Sequence, residues 1–513
     1  MSAFHEPRRA EPVLRGGAVE LRAGSQAAVS VTDEPRQDAG PGRKGARAYL
    51  FASMFGQLCA LLRYVVLARI IGPEQLGLAA FLMLTAQFLE NVSDTGSDRF
   101  IVQDREGDSA RLLSVVHSAM TLRGVLIAGA LVLFAGPVAK LYGTPQIGTS
   151  IMWLAITPFI AGFVHYGIRQ AQRARDFRPE SATIIAGESA ALLGTAAAAY
   201  IVRDHTAVIY GLAMRAIAMV VASHVTARRA YRWGYAKDEA VRFGAFAAPL
   251  FLNGFLLFVG SQGDRLLIGS TVGPTALGYY SAILLLILSP MAAMSRFMMT
   301  LHLPTLSARR DEQPAFDQAS NRLGGRAIVL AAVAAAGFTL VGPGMTWLFY
   351  GKDYLQPVLV FALLAALQAL RFVRVWPNTI AVAVGRSSVV TVNNLARLVA
   401  LPAALLAAMA GWGLEGIVAA YIAGEVIALL AALAQLARRR AINVRRELKR
   451  TAMFCVFLVT ICGWGLAIQA GVVWTFPVLA FMTVATAAEM ATRERPVLLE
   501  AFEMARRRLG RRR

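Results

Sequence analysis

The sequence predicts an all-α polytopic membrane protein of about 14 transmembrane helices. Of its 513 residues 57% are hydrophobic and only 16% charged, with a mean hydropathy of +0.53, too apolar for an ordinary soluble domain. The apolar residues gather in continuous runs of about 20, the length at which a helix crosses a hydrocarbon core of about 30 Å. The short connections between these runs alternate between crowded and nearly empty of Arg and Lys.

The runs fall at about 48–68, 75–96, 112–135, 148–168, 181–201, 206–227, 244–268, 275–300, 325–350, 355–375, 387–410, 414–437, 450–470 and 472–490. They are unbroken rather than alternating, and Ala and Leu dominate them, which excludes the dyad pattern of a barrel strand. With the amino terminus inside, the inner segments carry 8, 3, 4, 5, 4, 3, 7 and 8 Arg plus Lys in order. The outer loops carry four in all: Arg69, Lys140, Arg203 and Lys352. Every loop obeys the positive-inside rule, so both termini are expected in the cytosol of a bacterium, with the protein in its inner membrane.

The net charge of +21 would point to nucleic acid on a soluble domain. Here it is dispersed over loops, so it reads as topology, with anionic phospholipid as a partner for Arg438, Arg439, Arg440 and the stretch from Arg506 to Arg513. Cys59, Cys455 and Cys462 lie in apolar runs and read as packing residues. Residues 1–45 hold charges, Gly and Pro without a secretory apolar core, and are expected to form a disordered basic cytosolic tail. Residues 491–513 form a second basic tail.

An internal repeat sets the domain plan. Ile71–Gly77, IGPEQLG, returns as VGPTALG at Val272–Gly278, each time between two spans, an offset of 201 residues. GPVAKLYG at Gly136 and GPGMTWLFYG at Gly342 end the third and ninth spans in the same way. Gly-Pro pairs also have a purely local use, since Gly ends one helix and Pro begins the next. Six spans separate equivalent positions, an even number, so the halves share one orientation. The expected units are 46–228 (spans 1–6), 229–440 (spans 7–12) and 441–490 (spans 13 and 14), giving two pseudo-symmetric six-helix lobes plus two extra helices, and the resemblance set out next implies a central cavity between the lobes.

RYVVLARIIGPEQLGLAAF from Arg63, SDTG at Ser93–Gly96, RARDFRP from Arg173 and GDRLLIGSTVGPTALGYYSA from Gly263 resemble the Wzx-type flippases of the multidrug/oligosaccharidyl-lipid/polysaccharide exporter superfamily. The resemblance covers about 48–437. It implies alternating access of a cavity between the lobes and outward movement of an undecaprenyl-diphosphate-linked glycan. It also implies polysaccharide polymerase and glycosyltransferase partners, and no cofactor or metal. Each unpaired sugar hydroxyl drawn through hydrocarbon costs roughly 2 to 7 kcal/mol, so such a headgroup needs a hydrated path.

A diphosphate is best held by arginine, whose planar guanidinium binds it bidentately and keeps its charge. Intramembrane Arg costs at least about 2.5 kcal/mol near a helix centre, so each one asks for a reason. Arg63 lies roughly 22 Å from the inner end of span 1. It matches a first-span cavity arginine in the related lipid II flippases, although Tyr64 and Gln57 replace that group's acidic and basic neighbours. Arg123, Arg215 and Arg397 fall near the middle of spans 3, 6 and 11 and are further candidates for the cationic cavity. The structural alternative for Arg63 is snorkelling toward the periplasm or a pair within its lobe; for the other three it is an interhelical pair, with Glu188 and Glu425 the acids at similar depth.

Asp264 and Arg265 match the DR of the resembling motif and read as a conformation-setting pair, against simple interfacial solvation. Glu90 and Asp94, four residues apart on one helical face, form with Asn91 and Ser93 a candidate ion or gating site, against a solvated helix end beside Arg99. Glu188 and Glu425 are also candidate proton carriers. Arg296 is placed to snorkel inward. Pro158, Pro249, Pro290, Pro377 and Pro402 are candidate hinges.

Catalysis is disfavoured. No HExxH, GxSxG or P-loop occurs, the six His lack ligand spacing, and the outer loops are too short for a membrane glycosyltransferase or polymerase. A drug or cation exporter of the same superfamily is the nearer competitor, and four deep Arg against two Glu favour an anionic cargo over it.

Overall fold

Prolines decide where this chain's helices break. The computed structural model describes residues 41–438, 442–495 and 499; most of both predicted tails, with Arg439 and Arg440, lies outside them. Among the described residues no strand occurs. Helix α1 is Pro41–Val92, followed by α2 (Ser97–Gln103), α3 (Ala110–Leu141), α4 (Gly148–Leu154), α5 (Ile156–Ala161), α6 (Gly167–Arg173), α7 (Arg178–Val202) and α8 (Ala207–Val225). The second half holds α9 (Lys237–Leu267), α10 (Pro274–Ala308), α11 (Gln313–Tyr350), α12 (Val358–Val373), α13 (Val375–Ala383), α14 (Ser387–Ala396), α15 (Ala400–Met409) and α16 (Gly413–Arg438). Two more helices, α17 (Val444–Ala470) and α18 (Phe476–Arg493), end the described chain.

Among the described residues twelve helical stretches are long and apolar enough to cross a membrane. They accommodate the predicted fourteen spans for two reasons. Spans 1 and 2 run together as α1, joined at Gly72, whose φ of 76° only glycine adopts at little cost. Span 4 is no single helix but α4 and α5, because Pro158 cannot donate to the carbonyl one turn earlier and the chain breaks at Ala155. Pro377 likewise interrupts the tenth span at Arg374, and Pro402 the eleventh at Arg397–Val399. Pro249 and Pro290 sit inside helices that run on.

One boundary needs correction. Span 10 was expected to end near residue 375, whereas helix resumes after Arg374 and continues to Ala383. Its most apolar stretch is 72% buried, the most enclosed of all the spans. Arg371 and Arg374, which the sequence assigned to an inner loop, therefore stand within packed helix.

Helices of the first half pack mainly on one another, α1 on α7 and α7 on α8, and those of the second half likewise, α11 on α12 and α15 on α16. The halves meet where α1 crosses α10 and α9. The repeated motif makes the closest of these approaches. A Cβ on Gly77 would lie 1.7 Å from the Pro274 carbonyl oxygen, and one on Gly278 would lie 2.0 Å from that of Pro73. Each motif's last glycine thus receives the other motif's proline. The first glycines correspond as well, with φ of 76° at Gly72 and 118° at Gly273. α17 joins the second half through Arg450, which binds Glu447, Glu494 and Asn321 on α11.

Because backbone stands in the way of a methyl group at these glycines, Gly77→Ala and Gly278→Ala should each destabilise the protein by about 1 to 3 kcal/mol. Gly129, on an open face of α3, should tolerate alanine. Thermal unfolding in detergent would compare the three variants.

Candidate functional site

In the first half, Arg63 on α1 and Arg215 on α8 converge on Glu188 of α7. Arg63 Nη1 lies 3.5 Å from Glu188 Oε2, and Arg215 Nε 2.8 Å from Oε1. Gly56 allows this, since a Cβ there would come within 3.3 Å of Glu188 Cγ. Two cations share one anion, so the triad keeps a positive surplus. Its members retain some exposure, 37% for Arg215 against 12% for Glu188.

The second half inverts this pattern. Arg371 on α12 is gripped by Asp264 of α9 at 3.0 Å and by Glu425 of α16 at 3.1 Å. Tyr280 donates to Asp264 at 2.7 Å, and Arg374 Nε reaches Glu425 at 2.8 Å. Asp264 and Glu425 are 1% and 2% exposed, so both are wholly enclosed by protein. Arg397 lies against Gly260, whose missing side chain leaves room for the guanidinium, and shares a small cavity with Tyr421 and Glu425. The Arg397 Nε is buried without an acceptor. Asp264 takes Arg371, not its neighbour Arg265, as its ion-pair partner; Arg265 binds it through the backbone N–H at 2.9 Å.

Arg63 precedes Ile71 by eight residues, and Asp264 precedes Val272 by eight. One register position thus holds a cation in the first half and an anion in the second. Sequence reasoning missed Arg371 and Arg374. The signal was present in RFVRVWPNTIAVAVG, where two arginines three residues apart are followed by a further apolar run.

Arg123, Glu90 and Asp94 fall elsewhere, at the arginine-rich end of the bundle. Arg123 Nε donates to the Ser93 carbonyl at 2.7 Å and its Nη2 to that of Glu90 at 3.3 Å, satisfying acceptors freed where α1 ends. Asp94 accepts from the Gly96 N–H at 2.8 Å and pairs with Arg99 at 3.2 Å. Arg296 donates to Gln57 at 3.0 Å. In the RARDFRP stretch, Arg173 caps the carbonyls that end α2, including Val102 at 3.0 Å. Burial lowers the nearby Arg169, but the carboxylates of Asp98 and Glu180 outweigh that and hold its guanidinium above the ordinary value. Among the described residues no group of His, Cys, Asp or Glu is placed to hold a metal ion.

Solved structures share this architecture. The lipid II flippase MurJ in an inward closed conformation superposes with a TM-score of 0.64 at 13% identity, over 88% of this chain and 99% of that one. An inward-facing multidrug resistance transporter of the MATE family, in the MOP superfamily, gives 0.58 at 13% identity, over 79% and 99%. Identities this low establish the fold alone. The chain belongs to the polysaccharide biosynthesis protein family, whose profile matches residues 66–359. The succinoglycan biosynthesis transport protein ExoT of Rhizobium meliloti (strain 1021) is 23% identical over 219 residues, 42% of this chain and 44% of that protein, so the match spans less than half of that relative. This relative and these structural neighbours are transporters and flippases rather than enzymes.

Removing Arg371 leaves the enclosed Asp264 without a cation, while Glu425 keeps Arg374. Arg371→Leu should cost about 3 to 5 kcal/mol, whereas replacing Asp264 and Arg371 together by leucine should recover much of that loss. Chemical or thermal unfolding of the purified variants reads this directly.

Proposed function

We propose that this protein flips an undecaprenyl-diphosphate-linked oligosaccharide or exopolysaccharide repeat unit from the cytosolic to the periplasmic leaflet of a bacterial inner membrane. Residues 46–228 and 229–440 act as two lobes that open alternately to either side, with both termini in the cytosol. The surplus of guanidinium over carboxylate within the spans carries this reading. Arg63 and Arg215 share Glu188, and Arg265, Arg371, Arg374 and Arg397 face only Asp264 and Glu425. Unbalanced cations in a low-dielectric interior are costly, and a diphosphate entering between the halves relieves that cost.

Arg63, Arg215 and Arg397 supply the phosphate contacts in this scheme. Glu188 and Glu425 hold their arginines in place while the site is empty, and Arg123 fixes the end of α1. Anionic phospholipid surrounds the arginine-rich end. The family match and the likeness to a lipid II flippase support a lipid-linked glycan as cargo over a cationic drug.

The test is reconstitution in liposomes with fluorescent undecaprenyl-diphosphate glycans, followed by protection of the sugar from an external glycosidase. Protein-dependent movement is expected, and Arg63→Ala should slow it about tenfold or more at unchanged membrane insertion. Efflux of cationic dyes without any glycan movement would replace this reading with an exporter.

A further inference from the structure

Arg69 lies on α1 three residues before the break at Gly72, at the arginine-poor end of the bundle. Its guanidinium crosses from the first half to the second. Nε donates to the Phe349 carbonyl at 2.8 Å, and Nη2 donates to that of Leu348. Both acceptors belong to the last turn of α11, and a helix leaves its final carbonyls without donors of its own. The Gly351 N–H meets the Trp347 carbonyl at 3.0 Å, and Arg69 takes the next two. The negative end of the helix dipole favours a cation at this place. A third bond crosses the other way, from the Tyr354 hydroxyl to the Ala68 carbonyl at 3.1 Å.

These bonds are built to part as well as to form. Arg69 is exposed, so water can solvate its charge and replace it at both carbonyls when it leaves. The enclosed arginines of the second cluster have no such substitute.

The internal repeat supplies a comparison. Ser270 stands 201 residues after Arg69, and the end of α3 at Tyr142 and Gly143 corresponds to the end of α11. Backbone comes close here too, since a Cβ on Gly143 would lie 3.8 Å from the Ser270 carbonyl oxygen. Ser270 Oγ, however, donates back to the Leu266 carbonyl of its own helix at 2.7 Å. Beside this contact lies a cavity of about 570 Å³ between α1, α3 and α9, lined by Phe88, Phe134, Tyr142, Phe258 and Leu266. One seam between the halves is thus pinned by a cation, and its counterpart in the repeat is loosely filled.

We propose that Arg69 is a latch that holds the arginine-poor end of the cleft shut, the outer end in the flippase reading, and that its release lets the halves part there. The inference rests on the alternating opening of two lobes proposed above and names the residue that restrains one of the two openings. Carboxylates hold the arginine-rich end instead, with Arg242 on Glu106 at 2.6 Å and Arg111 on Glu239 at 2.9 Å, so removing Arg69 leaves that closure intact.

Spin labels at Val202→Cys, where α7 ends, and Trp412→Cys, between α15 and α16, report the separation of the halves without any cargo, in a background whose Cys59, Cys455 and Cys462 are alanine. Both positions are exposed and lie away from the latch. In pulsed electron-spin distance measurements on protein in nanodiscs, Arg69→Gln should raise the population of the longer, open distance about tenfold. Tyr354→Phe, which loses one neutral bond, should raise it less, and Lys140→Ala, which removes another cation of the same end, should leave it unchanged. An unchanged distribution in Arg69→Gln or an equal shift in Lys140→Ala would overturn the latch. So would a lowered thermal midpoint without the longer distance, which marks a helix cap and nothing more. Wild-type protein that moves no glycan in liposomes removes the flippase reading, while the distances still decide the latch.

Discussion

Buried charge in a medium that cannot solvate it governs the interior of this protein. A guanidinium placed deep in a span must find a carboxylate, a carbonyl or a ligand, and the cost of leaving it alone runs to several kcal/mol. Each half answers with a three-member chain of charges that ties distant spans together. Arg63, Glu188 and Arg215 join α1, α7 and α8, while Asp264, Arg371 and Glu425 join α9, α12 and α16. The order of signs is reversed, cation–anion–cation in one and anion–cation–anion in the other. The anion-centred triad is the more exposed and keeps spare positive charge, properties that suit a site exchanging its partner for a substrate phosphate. The cation-centred triad is fully enclosed and suits a scaffold.

Where the two repeated motifs cross, side chains are absent rather than charged. Gly77 and Gly278 each admit the other motif's proline carbonyl, an approach that any Cβ would block. That crossing depends on shape alone, while ion pairs join the halves elsewhere, Arg111 to Glu239 at 2.9 Å and Arg242 to Glu106 at 2.6 Å. The spans themselves are interrupted elsewhere, at the breaks that Pro158, Pro377 and Pro402 impose. One of these, at Arg374, lies beside the second charge cluster, so a bend of the tenth span would act on Glu425 directly.

The chain belongs to a polysaccharide biosynthesis family and shares the fold of solved flippases and exporters. What distinguishes its interior is the surplus of guanidinium over carboxylate, with Arg63 and Arg215 sharing the single carboxylate of Glu188. That surplus is a cost in the empty protein, and an anionic ligand would relieve it.

Hydropathy is a local property, so the sequence by itself marked the apolar runs and the repeat, down to the glycines of the crossing. It also singled out Glu188 and Glu425, because a carboxylate within an apolar run stands out, but not the arginines that Glu425 binds. Only the tertiary structure could decide who pairs with whom. Arg371 and Arg374 resembled loop residues since a charge three positions from another is how an inner loop begins, and burial by neighbouring helices, not composition, makes them interior. Arg123 binds backbone carbonyls, acceptors that every residue carries and no sequence marks.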